Sequence, residues 1–438
     1  MMRREKIYRI DFVLLAAVAL LVFIGVLMIY SAGFDPIEKI NSGLYKKQIL
    51  WFIFGMVFMV GLTFVNYQVL GDYSVYIYIA VVVVLLFTSL FGTPIRNTRA
   101  WINFGYFSIQ PSEFMKLAMV ILLAKYLEMR ERELKHSLEL IVPTLLTLIP
   151  VVIILMQPDF GTAVIFVPVL FSMLFVAGAE VAHLISVLSV VAIALTGPMI
   201  ITYLEWIGAQ ESNFFINFLK DAGSLLIVAS VFLSAAVITF LLRYFWNNRV
   251  LSRIFNISAV LSLGLYSSLL IQNFFKTYQK KRILVFLNPD LDPHGSGYNI
   301  IQSKIAIGSG GFLGKGFLKG TQSQLGFLPE KSSDFIFAVV AEEWGFVGSV
   351  LVIGLLAVVV FRGIQISLEA KDKFGALLAA GITSIFIFQI LINLGMVVGI
   401  MPVTGLPLCF ISYGGSNLIM SLMAVGILMN IRMRKFTY

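Results

Sequence analysis

Glu113 and Lys116 stand three positions apart in an otherwise apolar stretch. That spacing puts a carboxylate and an ammonium on one face of a helix. An ionised group at mid-bilayer costs about 2.5–3.5 kcal/mol on insertion scales, so residues of this kind are kept for a reason. Asp159 follows in Gln157-Pro158-Asp159-Phe160-Gly161-Thr162, where it reads either as a helix cap or as a cavity carboxylate. Asp334, Glu342 and Glu343 border a later apolar run, and Gln389 and Asn393 share a face of the next. Each alone fits a cap, an ion pair or an inter-helix hydrogen bond. Together they predict a polar cavity opening outward.

A second set of groups lies in residues 276–333. Lys276, Lys280, Lys281, Arg282, Lys304, Lys315, Lys319 and Lys331 face only Asp290, Asp292 and Glu330. Long loops between spans tolerate such charge. The same surface would also bind an anion, a diphosphate at the membrane surface being a natural candidate. Charge alone leaves both open. Asn299 to Ile307 reads as an amphipathic helix, and Gly308, Gly310, Gly311, Gly314, Gly316 and Gly320 suit a structured or re-entrant segment lining a cavity. The glycines do not form a nucleotide-binding loop. Ser309 stands where its first glycine belongs, and Gly316 follows Lys315 where Ser or Thr is needed.

The elements that must position these groups are membrane helices. Of 438 residues 59% are hydrophobic and 13% charged, against roughly 25% charged in a soluble domain. Unbroken apolar runs exclude the period-two pattern of a barrel. Twelve runs approach the length of a span, at about 12–30, 48–66, 74–91, 112–128, 138–156, 160–178, 183–203, 223–243, 257–275, 335–361, 374–400 and 408–431. The first follows a basic start (Arg3, Arg4, Lys6, Arg9) and reads as a retained span. Basic residues recur at alternate turns, at Arg130, Arg132 and Lys135, at Arg243, Arg249 and Arg253, at Arg362, Lys371 and Lys373, and in the tail at Arg432, Arg434 and Lys435. This parity predicts both termini in the cytoplasm. The net charge of +9 is accounted for by these flanks, so nucleic acid is not an expected partner. Cys409 is a lone cysteine in an apolar run, and His136, His183 and His294 have no metal-ligand spacing.

The run Arg282-Ile283-Leu284 through Phe286-Leu287-Asn288-Pro289-Asp290-Leu291-Asp292-Pro293-His294-Gly295-Ser296-Gly297-Tyr298 resembles the outer loop of the SEDS family (shape, elongation, division, sporulation). So do Gln302-Ser303-Lys304, Gly320-Thr321-Gln322-Ser323-Gln324, Phe327-Leu328-Pro329-Glu330 and Asp334-Phe335-Ile336-Phe337 with Glu342-Glu343. Gln110-Pro111-Ser112-Glu113 with Lys116, Gln157-Pro158-Asp159, and Ser412-Tyr413-Gly414-Gly415-Ser416 extend the match over most of the chain. The Gly-Thr-Gln-Ser-Gln signature is closer to the RodA, or elongation, branch. Two features depart from the pattern. Family members usually have ten spans, and the surplus pair falls within 183–243; Lys331-Ser332-Ser333 stands where Arg-His-Thr is common.

The resemblance implies an all-α polytopic fold with a long extracytoplasmic loop at 276–333. It implies a peptidoglycan glycosyltransferase in the bacterial cytoplasmic (inner) membrane that polymerises lipid II during elongation. Asp292 occupies the family's catalytic-aspartate position and would act as general base. Lys116, Lys304 and Arg282 would contact the diphosphate, with Glu113 orienting Lys116. Arg99 and Trp101 would meet sugar or lipid, and Gln302, Gln322 and Asp159 complete the substrate-binding set. Asp334, Glu342, Glu343 and Asn393 would shape the cavity. No cofactor is required by the pattern; a divalent cation, Mg or Mn, could assist the leaving group, although no ligand set stands out. The implied partners are a class B penicillin-binding protein and other proteins of the elongation complex. A flippase for the same precursor and a non-catalytic scaffold are the competing readings; neither needs a base at Asp292.

Overall fold

The apolar runs fold as helices because a bilayer leaves backbone amides no other partner. The computed structural model describes residues 10–36, 38–95, 98–105, 107–130, 137–206, 221–246, 248–274 and 296–435. In chain order the helices are α1 (Phe12–Ala32), α2 (Leu44–Phe64), the short α3 (Tyr67–Asp72), α4 (Ser74–Phe91), α5 (Pro111–Met129), α6 (Ile141–Met156) and α7 (Phe160–Ala177). Then come α8 (Val181–Trp206), α9 (Ala222–Phe245), α10 (Arg249–Phe274), α11 (Ser296–Gly310), the single turn α12 (Thr321–Gln324), α13 (Ile336–Glu369), α14 (Lys373–Val398) and α15 (Gly415–Met433). Each of the twelve apolar runs falls largely on one of these helices.

Among the described residues, ten helices are long and apolar enough to cross a membrane. The other two of the twelve are α5, which carries Glu113, Lys116, Lys125 and Glu128, and α6, which has 16 residues. The protein is a multi-pass helical membrane protein. Two boundaries differ from the sequence reading. α10 begins at Arg249 and α13 continues to Glu369, several residues past the apolar runs at 257 and 361. Apolar composition marks only the part of a helix inside hydrocarbon; the backbone continues helical through Arg249, Arg253 and Arg362 into the polar layer.

Two compact units divide the chain. The first holds residues up to Gly178 and from Tyr298 onward. Its centre is α15, with 89% of its span window buried, and α14, with 72%. α15 packs along α2, α13 along α14 and α1, and α14 along α7 and α5. The α15–α2 crossing is close: a Cβ at Gly426 would stand 2.5 Å from the Met59 carbonyl. By contrast, α2 and α4 present Val57, Phe58, Val83 and Phe87 outward. Such faces are at home in lipid, where small residues, not apolar ones, drive helix contact. At the start of α1, Asp11 caps the helix through Leu14 N at 3.1 Å and accepts Arg362 Nε at 2.8 Å and Arg432 Nε at 3.2 Å. The second unit, Ala179–Gly297, contains α8, α9 and α10, with α10 packed on both others. The two runs read as a surplus pair are among these three helices.

The hydropathy pattern did not foresee two small sheets. β1 (Phe34–Asp35) and β2 (Ile40–Asn41) make a hairpin after α1. β3 (Thr93–Ile95), β4 (Thr98–Asn103) and β5 (Ser108–Ile109) form an antiparallel sheet that runs directly into α5.

Candidate active site

α5 opens with Pro111 at its first turn and Glu113 close behind. Proline is preset for that position, and an acid there faces the positive end of the helix dipole. Lys116 lies one turn on, so its ammonium meets the Glu113 carboxylate at 2.9 Å, both side chains being almost fully buried. Two other helices complete the pair. Lys116 donates to Gln389 Oε1 of α14 at 3.1 Å, and Asn417 Nδ2 of α15 donates to Glu113 Oε2 at 2.7 Å. Gln389 in turn donates to the Pro407 carbonyl at 2.8 Å. The predicted pair is therefore a three-helix tie, and in this conformation Lys116 is enclosed by its partners.

Asp159 caps α7, accepting Thr162 N at 3.2 Å and Thr162 Oγ1 at 2.8 Å. It also accepts Gln110 Nε2 at 2.7 Å, which binds the start of α7 to the start of α5. Of the two readings open from sequence, the cap is the one these contacts show. Burial pushes its carboxyl above the usual carboxylate range; the Thr162 hydrogen bonds pull the other way, Glu113 adds to the rise and Lys116 opposes it. Gln110 N also donates to Ser416 Oγ at 2.8 Å. One contiguous polar patch thus joins the starts of α5, α7 and α15.

The glycine-rich segment is built into α13. Gly345 breaks that helix with φ 65° and ψ −156°, a region open in practice to glycine alone. The break strands backbone groups on both sides, and residues 311–316 satisfy them. Lys315 N donates to Glu342 O at 3.0 Å and Gly316 N to Glu343 O at 2.9 Å. Phe346 N donates to Gly311 O at 2.9 Å and Val347 N to Phe312 O at 3.2 Å. Gly314 passes so close that a Cβ on it would lie 2.1 Å from the Glu343 carbonyl.

Glu342 holds the next stretch. Its carboxylate accepts Gln322 N at 2.8 Å, Ser323 N at 3.0 Å, Ser323 Oγ at 2.9 Å, Thr321 Oγ1 at 3.1 Å and Lys315 Nζ at 3.0 Å. Glu343 points the other way, to Ser31 Oγ of α1 and Gln324. Asn393 donates to the Asp334 and Leu406 carbonyls at 2.9 and 2.6 Å. These residues fasten the segment before α13 to the bundle. α11 is fastened likewise, through Ser303 Oγ to Val397 O at 2.8 Å, which leaves Lys304 exposed and Gln302 half-buried. On β4, Arg99 is exposed and Trp101 half-buried opposite Thr93. Asp292 and Arg282 lie outside the described residues. Among the described residues no group of three His, Cys, Asp or Glu is placed to hold a metal ion.

The model of the FtsW/RodA/SpoVE family, described as cell cycle protein, matches residues 11–224 and 212–436. The chain belongs to this family. It is 37% identical over 447 aligned residues to the peptidoglycan glycosyltransferase RodA of Treponema pallidum (strain Nichols), covering 99% of this chain and 100% of that one. It is 32% identical to the peptidoglycan glycosyltransferase MrdB of Escherichia coli (strain K12), over 98% and 94% of the two chains. Its fold matches a chain of a solved structure described as "Structural coordination of polymerization and crosslinking by a peptidoglycan synthase complex", with TM-score 0.68, 28% identity and coverage of 98% and 99%.

For this FtsW/RodA/SpoVE member, sequence reasoning missed Asn417, the distant partner of Glu113, and read Gln110 only as part of its motif, without the tie to Asp159. Neither carries a charge, and both sit at helix starts where polar residues are ordinary. It also missed the break at Gly345, whose one signal was a glycine directly after the Glu342-Glu343-Trp344 run.

Proposed function

We propose that this chain is a peptidoglycan glycosyltransferase that polymerises lipid II into glycan strands at the outer face of the bacterial cytoplasmic membrane. The observation that carries this reading is the end-to-end similarity to relatives named for that activity. In the reaction, the 4-hydroxyl of one sugar attacks the anomeric carbon of another. The new glycosidic C–O bond forms as the C–O bond to undecaprenyl diphosphate breaks. Asp292 takes the hydroxyl proton as general base. Exposed Lys304, with Arg282, would offset charge building on the diphosphate. Glu113, Lys116 and Asp159 act from behind, holding α5 and α7 in place. Glu342 fixes the backbone at Gln322, a half-buried residue that would face the substrate. The partner would be a class B penicillin-binding protein, a reading supported by the fold match to a chain of a synthase complex. The alternating basic turns support cytoplasmic termini.

The test is polymerisation of purified lipid II with the partner present, comparing wild type with Asp292→Ala after both are shown to be folded and partner-bound. Polymer from wild type and none from the variant is the expected result. Equal polymer from both would remove Asp292 from the chemistry.

A further inference from the structure

A cleft of about 500 Å³ opens beside the β1–β2 hairpin, within the range of about 300–1,000 Å³ usual for small-molecule sites. Phe34, Asp35 and Glu38 line its hairpin wall, and Gln324, Leu325 and Lys331 line the other. Two carboxylates therefore stand across from one ammonium. Asp35 and Glu38 are exposed, whereas Lys331 is half-buried with Nζ donating to the Ser323 carbonyl. Burial lowers the Lys331 pKa, and the charges of Asp35 and Glu343 counter that fall.

Gln324 and the residue behind it add a second observation. Gln324 is only 8% exposed. Its amide nitrogen donates to Ser31 O at 3.0 Å and to Ser31 Oγ at 3.1 Å, which fixes the amide and turns its oxygen away from that cluster. Gln324 Oε1 is buried without a hydrogen-bond partner among the described residues, and so is Glu343 Oε2 behind it. A buried acceptor of this kind calls for a hydrogen-bond donor.

The lining discriminates between occupants. A diphosphate brings acceptors only, and so has nothing to offer the two carboxylates. A neutral sugar could hydrogen-bond these side chains but carries no charge to match Lys331. A polyprenyl chain needs an apolar groove open to lipid. A short peptide with a carboxylate, an ammonium, amide N–H groups and small apolar side chains matches each part. We propose that this cleft binds the peptide stem of the lipid-linked disaccharide, a stem carboxylate meeting Lys331 and stem N–H groups meeting Gln324, Asp35 and Glu38. The inference rests on the polymerase reading above and adds a specificity site to it.

The experiment compares two substrates, lipid II with its full stem and the same lipid-linked disaccharide carrying a single alanine. Wild type, Lys331→Gln and Glu38→Gln are assayed with the partner present. Glu38 lies on the exposed hairpin, so its substitution leaves the fold intact even if Lys331→Gln disturbs its loop. Wild type should show a KM about tenfold lower for the full stem, the size of one charge-assisted contact. In both variants that ratio should collapse towards unity. Equal KM values in wild type, or an unchanged ratio in both variants, would overturn the cleft assignment alone. So would loss of partner binding in Glu38→Gln with the ratio intact, which would make the cleft a protein contact. No polymer from either substrate with wild type would overturn the polymerase reading and the cleft with it.

Discussion

Replacing Lys116 with Met should cost far more than its size suggests. The change leaves the Glu113 carboxylate buried with Asn417 as its one remaining partner and takes the donor from Gln389 Oε1. Breaking a buried ion pair from one side costs about 3–5 kcal/mol, and an orphaned buried acceptor adds about 1–3 kcal/mol. Glu113→Leu should cost a similar amount, with Asn417 Nδ2 orphaned instead. The double variant removes both charges of the pair. It retains two orphaned amide groups, roughly 2–6 kcal/mol, offset by about 1–4 kcal/mol from replacing an ion pair with packed hydrocarbon. The pair should therefore be less damaged than the sum of the single changes by several kcal/mol. Equilibrium unfolding in detergent, run as a double-mutant cycle, measures this directly. Additivity within about 0.5 kcal/mol, or a single-variant cost below about 1 kcal/mol, would refute the view that the tie is one desolvated unit.

Glu342→Ala removes the acceptor for two backbone amides and three side-chain donors; hydrogen exchange at Gln322 and Ser323 should accelerate strongly, with Glu342→Gln intermediate. Gly345→Ala forces a Cβ into a glycine-only conformation 2.3 Å from Gly314 N and should destabilise by about 1–3 kcal/mol or more, while Gly354→Ala, in the helix interior with open space around it, should leave the melting temperature unchanged or raise it slightly. Asp159 titrates with a raised folded pKa, so its contribution to stability is complete below the unfolded carboxylate pKa and is lost as pH rises through the folded one. Asp159→Asn does not titrate, and its stability relative to wild type should improve as pH climbs above the ordinary carboxylate range; a flat difference from acid to neutral pH would contradict the shift.

Hydropathy was enough to place the spans, because lipid imposes helix wherever about 20 apolar residues occur together. It failed at Arg249 and Glu369, where helix continues without hydrocarbon around it. The i,i+3 spacing of Glu113 and Lys116 announced their contact. Asn417 did not announce itself: it stands 304 positions from Glu113, and only tertiary packing brings α15 to α5. The β1–β2 and β3–β5 pairings are two to six residues long, too short for an alternating pattern to rise above ordinary loop sequence. Asp159 was legible as a cap from its place before Phe160-Gly161-Thr162, yet its second bond to Gln110 depends on how two helix starts meet.

Glycine-rich loops usually accept insertions and deletions, because nothing along them is counted. Residues 311–316 are different, since both of their ends are read against the broken turn of α13. Adding or removing one residue between Gly311 and Gly316 would put two carbonyls and two amides out of step at once. The length of this loop is thus as fixed as the register of a strand. Variation during evolution should appear as exchanged side chains at Phe312 or Leu313, which point outward, and not as a change in the number of residues.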